Sequence, residues 1–223
     1  MKDYIRNTRG RMFDSAFFEF FSKVHPSMPF IFWLPVAFGI LGYSLGSGVT
    51  TLVLTAAFFP LGWVTWQLLE YVIHKKVFHY EGSGPFTRRF HDIVHGFHHK
   101  YPDDDTRLVM PLPVSISLAA IIWFGLSLAG HAEVTVPYWS GLVLGYLWYD
   151  FLHWSTHHRK PLTAWGRKLR AHHMSHHFAD STTNYGISYM WLDRVLGTLR
   201  NRKPGEKEVL IEKEAAPEKD AAA

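Results

Sequence analysis

From Val24 to Leu69 the chain runs for 46 residues without an Asp, Glu, Lys or Arg. As a single helix at 1.5 Å per residue that stretch would be ~70 Å long, about twice the ~30 Å hydrocarbon core of a bilayer. A hairpin of two helices uses the length, and the small, turn-forming residues of Ser44–Thr51 (Ser-Leu-Gly-Ser-Gly-Val-Thr-Thr) mark its bend. Two further uncharged runs, Leu108–Ala132 and Val134–Tyr149, are separated only by Glu133. With His131 beside it and Pro137 just beyond, a second turn is expected near 131–137. The pattern predicts an all-α integral membrane protein with four transmembrane helices in two hairpins, near 29–46, 50–73, 113–130 and 135–152. A soluble helical domain would show a polar stripe every 3.6 residues, which these runs lack. Trp33, Trp63, Trp66, Trp123, Trp139 and Trp148 fall mainly toward the ends of the runs, where interfacial aromatic residues belong.

The flanking segments are patterned differently. Phe13, Phe17, Phe20, Phe21 and Val24 recur every three or four residues, the spacing of a short amphipathic helix. Such a helix either lies in the membrane interface or docks on a cytoplasmic domain, and the spacing serves both. Residues 159–171 mix Leu162, Trp165 and Leu169 with Arg159, Lys160, Arg167, Lys168 and Arg170, which suits an interfacial segment near anionic headgroups. From Asn201 onward Lys, Glu, Ala and Pro dominate, so a mobile polar tail is expected there. The division is thus an interfacial segment over 1–28, a main domain over 29–200 and a tail over 201–223.

Charge adds orientation. The 23 Lys and Arg against 19 Asp and Glu leave +4, and with 48% hydrophobic residues the chain is neither disordered nor a nucleic-acid binder. Residues 1–29 hold 5 of the basic residues, 74–113 hold 6 and 153–223 hold 12, and neither predicted turn holds any. Four passes put those three segments on one side, which the positive-inside rule makes the cytoplasm, with both termini. The first apolar run is late, long and followed by another, so it reads as an anchor and not as a cleaved signal. There is no cysteine, which excludes disulfides, thiolate-ligated haem, Cys-ligated iron–sulfur clusters, Cys-type zinc sites and a Cys nucleophile.

The remaining chemistry lies in histidine. Thirteen of the 15 fall into four groups: His74 and His79; His91, His95, His98 and His99; His153, His157 and His158; His172, His173, His176 and His177. On a helix, positions i and i+4 lie about 40° apart and i and i+3 about 60°. His95/His98/His99, His153/His157 and His173/His176/His177 therefore each put imidazoles on one face, at a spacing from which rings converge on a metal. The His74/His79 pair would be about 140° apart on a continuous α-helix, so the helix is expected to loosen or end between them. All four groups map to the cytoplasmic ends of spans two and four and to the segments that follow. Ten ligand-grade histidines overfill one ion, since a centre takes four to six donors; two ions share them comfortably. Soluble four-helix di-iron proteins use Glu ligands with Glu-x-x-His. Here Asp92-Ile-Val-His95 and Asp150-Phe-Leu-His153 mimic that spacing, but carboxylates are scarce. Asp92, Asp150 and Glu70 are read as acceptors that orient imidazole N–H groups, with a solvated helix face the alternative for Asp92.

These motifs resemble those of the fatty acid hydroxylase (sterol desaturase-like) superfamily of membrane non-haem di-metal enzymes, most of all its fatty acid 2-hydroxylases. The resemblance runs from Glu70 to about Leu199 and rests on His74-x4-His79, His95-Gly-Phe-His98-His99-Lys and Arg107-Leu108-Val109-Met110-Pro111. It continues through Tyr149-Asp150-x2-His153-x3-His157-His158, His173-x2-His176-His177 and Trp191-x-Asp193-x3-Gly197-Thr198. It implies metal ligands at His74, His79, His95, His98, His99, His153, His157, His173, His176 and His177, with His91, His158 and His172 as neighbours. It also implies two Fe ions, with zinc an alternative occupant, O2 as co-substrate, and hydroxylation of a lipid acyl chain lying among the spans. Asn184, Tyr185 and Tyr149 are candidates for headgroup or ligand-supporting contacts. The 29 residues before the first span do not hold the haem cytochrome domain that many members carry, so electrons are expected from a separate ferredoxin or b-type cytochrome with its reductase. Arg88, Arg89, Lys100, Arg167, Lys168 and Arg170 are the expected docking residues for it, lipid headgroups being the alternative. Two other readings remain at this point: a sterol, alkane or carotenoid desaturase or hydroxylase on the same scaffold, and a metal transporter or store.

Overall fold

The computed structural model describes residue 5 and residues 8–201, and the expected tail lies outside the described residues apart from Asn201. Regular structure among these residues is helical. A short helix α1 (Ala16–Phe21) leads to the first hairpin, α2 (Met28–Gly46) and α3 (Leu52–Ile73). Helices α4 (Pro85–His91) and α5 (Phe97–Lys100) follow, then the second hairpin, α6 (Leu112–Ser127) and α7 (Ala132–His158), and finally α8 (Ala164–Phe178) and α9 (Trp191–Val195). Pro29 and Pro113 sit in the first turns of α2 and α6, where a missing N–H breaks no helical bond. The hairpin turns reverse through Gly48 (φ 76°) and Gly130 (φ 72°), a left-handed backbone that a side chain resists.

The Thr50 hydroxyl donates to the Glu133 carbonyl at 2.6 Å and ties the two turns together at one end of the bundle. Consequently α3 and α7 run parallel, and both deliver their C-terminal histidines to the opposite end. Their approach is close enough that backbone lies against backbone. A Cβ on Gly62 would come within 1.9 Å of the Tyr138 carbonyl oxygen, and one on Gly141 within 1.9 Å of that of Phe59. Around this seam Trp33, Trp66, Trp139, Leu142, Val143 and Tyr146 form the core. The Trp33 indole N–H donates to Ser115 at 3.1 Å, and the Trp139 indole to the Ala119 carbonyl at 3.1 Å, binding α6 to the other helices.

Three stretches, Met28–Gly46, Leu52–Phe78 and Asp105–Ser127, are long and apolar enough to cross a membrane. The fourth expected span is the middle of α7, a helix of 27 residues or ~40 Å. It is more polar than the others because it is the inner helix: α2, α3 and α6 pack around it, so Ser140, Tyr146, Tyr149 and Asp150 are buried against protein. Its uncharged run ends at Tyr149, but the helix continues through His158, beyond the expected end of the span near 152.

At the histidine end the N-terminal segment straps the other helices. The Ile5 N–H donates to the Lys100 carbonyl, and the Arg107 guanidinium donates to the Gly10 carbonyl and pairs with Asp104 and Glu19.

The seam makes a stability prediction. Gly62→Leu must push α3 off α7 and should cost about 1–3 kcal/mol, lowering the thermal midpoint in detergent by about 2–4 °C per kcal/mol for a chain of this size. Gly42→Ala, with nothing within 4 Å of the added Cβ, should leave the midpoint unchanged or raise it.

Candidate metal centre

Helix α3 widens before it ends. His74–Phe78 form a π-helical turn in which the His79 N–H reaches the His74 carbonyl at 3.2 Å. The wider turn brings i and i+5 onto one face, and the Nε2 atoms of His74 and His79 come within 3.3 Å. This is the loosening that the sequence spacing demanded. A second π-helical turn, Asp92–Gly96, carries His95 into α5, which bears His98 and His99. Helix α8, capped by the Thr163 hydroxyl on the Gly166 N–H, carries His173, His176 and His177.

The ten histidines gather in two groups of five. One comprises His74, His79, His95, His99 and His176; the other His98, His153, His157, His173 and His177. In each, the donor atoms lie within 4.8 Å of one another. The sequence placed His98 with His95 and His99, and His176 with His173 and His177, but both sets divide. Successive residues on a helix differ by about 100°, so α5 and α8, lying between the groups, each serve both. The His99 and His177 rings stack across the boundary with centroids 4.2 Å apart.

The geometry suits a coordination shell better than a hydrogen-bond network. In the first group the Nε2–Nε2 separations are 3.0 Å for His74–His95, 3.0 Å for His99–His95 and 2.9 Å for His79–His176. In the second they are 3.0 Å for His153–His98, 3.0 Å for His98–His177, 2.9 Å for His157–His173 and 3.1 Å for His177–His173. Donors about 2.05 Å from one ion lie about 2.9 Å apart along an octahedral edge and about 3.3 Å along a tetrahedral one. The tautomers agree. His74 Nδ1–H donates to the Tyr185 carbonyl and His176 Nδ1–H to the Thr183 carbonyl, both at 2.6 Å. A carbonyl can only accept, so Nε2 of both rings is a bare lone pair aimed into the group. Burial, reinforced by neighbouring imidazoles, holds His95, His98, His173, His176 and His177 well below the ordinary histidine pKa, so the rings are neutral donors. Five converging imidazole nitrogens are what a divalent cation of this class takes, so each group could hold one metal ion.

The supporting contacts differ from those expected. Glu70 orients no imidazole: its carboxylate accepts the Ser188 N–H at 2.7 Å, the Ser188 hydroxyl at 2.6 Å and the Ile187 N–H at 3.3 Å. Asp92 is exposed, and Asp150 is buried one turn before His153 with neither oxygen bonded to an imidazole. For His74 and His176 the orienting acceptors are instead backbone carbonyls of the loop 183–188, which residue-type reasoning does not see. Asn184 sits at φ 57°, a left-handed conformation that Asn tolerates, so the carbonyls on either side of it reach two different rings. Asp193 pins this loop, accepting the Tyr185 and Gly186 N–H groups at 2.8 Å each, the Thr198 hydroxyl at 2.7 Å and the His172 ring N–H at 3.0 Å. Burial alone would raise its pKa, but the His172, Thr198 and Gly186 hydrogen bonds hold it below the usual carboxylate value. The one signal for it was the closing Trp191-x-Asp193-x3-Gly197-Thr198 pattern. Of the neighbouring histidines, His172 is thus Asp193's partner, His91 donates to the Phe78 carbonyl at 2.6 Å, and His158 is exposed. Asn184 and Tyr149 are buried, Asn184 with its side chain donating to the His172 carbonyl and Tyr149 packed on Trp66.

Two consequences can be measured. Elemental analysis of protein made with iron and without chelators should give two ions per chain. Asp193→Ala should free the loop carbonyls and weaken metal retention about 10–100-fold in chelator competition, while Asp92→Ala should match the parent.

Residues 59–198 match the family model described as Fatty acid hydroxylase, more than half of the chain. The chain is 35% identical over 200 residues to the dihydroceramide fatty acyl 2-hydroxylase FAH2 of Arabidopsis thaliana, covering 88% of this chain and 83% of that one. It is 36% identical over 150 residues to the human fatty acid 2-hydroxylase, covering 66% of this chain and 40% of that longer protein. The solved structure titled full-length scs7p, with only the hydroxylase domain visible, superposes with a TM-score of 0.78 at 28% identity, over 83% of this chain and 70% of that one.

Proposed function

Because the chain belongs to the fatty acid hydroxylase family, we propose that it is a membrane di-iron monooxygenase that hydroxylates a lipid acyl chain at its 2-position, the acyl group being a fatty acid or part of a sphingolipid. It would consume O2 and two electrons from a separate donor protein. The observation that carries this reading is the pair of five-imidazole groups at one end of an apolar helical bundle. A C–H bond of an acyl chain has no acidic proton, so acid–base side chains cannot activate it. Two iron ions would supply the redox chemistry that O2 insertion requires, whereas zinc would fill the same donors without it.

The residues of the chain bind and position. His74, His79, His95, His99 and His176 would hold one ion, and His98, His153, His157, His173 and His177 the other. The Asp193-pinned loop keeps the Nε2 lone pairs of His74 and His176 turned inward. On the membrane side of the histidines, Trp33, Trp66, Met110, Ala119, Leu142 and Tyr146 line a narrow apolar cleft. Trp66 precedes His74 by eight residues and Tyr146 precedes His153 by seven, which sets the cleft ~10–12 Å from the histidines. An acyl tail that widened this narrow cleft and entered it would leave its headgroup at the cytoplasmic surface, with the carbons next to that headgroup level with the imidazoles. In this reading α7 is a fourth span, and both termini and the histidines face the cytoplasm, where all basic residues fall. Arg167, Lys168 and Lys100 are exposed there and suit an acidic ferredoxin or cytochrome. Two observations support an acyl hydroxylase over the other readings. The similar proteins are fatty acyl hydroxylases by name, and the histidines lie at helix ends and not near mid-bilayer, where transporter sites sit.

Lipid mass spectrometry of a host expressing the chain should show 2-hydroxy acyl lipids that vanish with His176→Ala and persist with His25→Ala; absence of any hydroxylated lipid would remove the reading. Ala119→Trp, which fills the cleft, should shift products toward shorter acyl chains. An unchanged chain-length profile would place the tail elsewhere and leave the hydroxylase reading intact.

A further inference from the structure

Helix α1 turns its apolar side chains the wrong way for a helix docked on a protein. Phe17, Phe18, Phe20 and Phe21 are 65%, 58%, 73% and 54% exposed, whereas its one charged residue, Glu19, is buried. Glu19 accepts the Met12 and Phe13 N–H groups at 3.0 and 3.1 Å and pairs with the Arg107 guanidinium. The Arg107 side chain is itself only 3% exposed, bonds Gly10, Asp104 and Ser22, and lies over the Phe97 ring at 4.6 Å. The helix is therefore held by its polar side chain and presents four phenylalanines outward. Helix α4 extends the patch. Arg89 lies over the Phe13 ring at 5.1 Å and donates to the Met12 carbonyl at 2.8 Å, joining α4 to the segment before α1. Phe86 and Phe90 on the same helix are exposed, Phe86 by 81%.

The height of this patch is fixed by its connections. Six residues separate α1 from α2, and within them the Val24 N–H donates at 2.8 Å to the Thr106 carbonyl, in the turn that opens the Asp105–Ser127 stretch. Both links run straight into helices that are long and apolar enough to cross a membrane. An exposed aromatic cluster in water at that level would be a liability, whereas in the headgroup–acyl boundary it is buried.

We propose that α1 and α4 together form a lipid-insertion surface that seats the histidine-bearing end of the protein in the cytoplasmic-leaflet interface. The partner is the bilayer itself, with Phe17, Phe18, Phe20, Phe21, Phe86 and Phe90 below the headgroups. Arg88 and Arg89, each with one N–H already given to a backbone carbonyl, offer their remaining guanidinium N–H groups to lipid phosphates and not to an electron donor. Since Arg107 touches both Glu19 of α1 and Phe97, the residue before His98 and His99, this seating also sets the depth of the metal-ligating helix α5. The proposal rests on the membrane-spanning reading of α2 and α6 and is independent of which reaction the site performs.

The chain contains no cysteine, so single substitutions place one spin label each. Phe17→Cys, Phe20→Cys and Phe86→Cys, labelled in vesicles of phosphatidylcholine and phosphatidylserine, should collide with O2 more than with a water-soluble nickel chelate. Thr182→Cys, at an exposed polar position, should show the reverse. Nickel access at the three phenylalanine sites equal to that at Thr182 would overturn the proposal. So would dipolar broadening at those sites that disappears on dilution with unlabelled protein, because it would assign the surface to a second copy of the chain. All four positions are exposed, so the labels leave the packed interior untouched.

Discussion

Ten imidazoles, seven buried and three half-buried, gather with Nε2 atoms about 3 Å apart, and as neutral rings they cannot satisfy one another. A neutral ring has one N–H and one lone pair, and in His74 and His176 the N–H is already committed to a carbonyl. Their remaining lone pairs face other nitrogens in a region from which water is largely excluded, an arrangement that is costly until a cation collects the lone pairs. This one constraint accounts for much of the local structure. It explains why α3 widens into a π-helical turn at His74, why Asn184 adopts a left-handed backbone, and why two buried carboxylates, Glu70 and Asp193, are spent on a loop and not on the rings. Each device fixes the direction of a lone pair, and none adds apolar burial.

Helix packing sets where those lone pairs meet. Gly62 and Gly141 let α3 and α7 touch backbone to backbone and in parallel, so that the ends of both helices arrive at the same face of the bundle. His74 from α3 and His153 from α7 enter different groups, and α5 and α8 fill the space between by offering adjacent residues to both. Had the two helices run antiparallel, one of these histidines would lie at the turn end, beside Thr50 and Glu133. The two hairpins are therefore part of the chemistry and not merely its anchor.

Much of this was legible in the sequence, and the parts that were not share a cause. Uncharged runs revealed the hairpins because a bilayer penalises charge regardless of tertiary contacts, and histidine spacing revealed the four clusters because helical periodicity is local. The i, i+5 spacing of His74 and His79 even announced a break in α-helical geometry. The division of His98 from His95 and His99 was hidden, since which of two adjacent helical faces meets which neighbour depends on the packing of α5 and α8. The carbonyls of Thr183 and Tyr185 were invisible because every residue has one, and only the fold says where it points. Glu70 misled for the opposite reason: a carboxylate near a histidine in sequence suggests a pair, but Glu70 finds nearer donors in residues 187–188, contributed by a distant part of the chain, whereas Asp92 takes the solvated alternative. The glycine seam carried a readable signal, Gly141-x3-Gly145, the small-residue spacing of close helix contacts in membranes.

Depth ties the site to the proposed regiochemistry. The apolar cleft lies among helices α2, α3, α6 and α7, and the imidazoles lie beyond it at the helix ends, in a segment rich in Lys, Arg and His. A lipid whose headgroup stays in the polar layer can slide along this axis only at the cost of moving polar groups into the bundle or methylenes out of it. Each methylene moved into water costs about 0.8 kcal/mol, so a displacement of two carbons already disfavours binding more than tenfold. In the proposed reading, the carbon level with the metal ions would thereby be counted from the headgroup and not from the methyl end. Oxidation next to the carbonyl needs only a site at the membrane surface, whereas oxidation at mid-chain would need ligands inside the bilayer, among the apolar middles of the spans. The placement of the ten candidate ligands in the last turns of α3 and α7 and in the segments that follow fits the first arrangement.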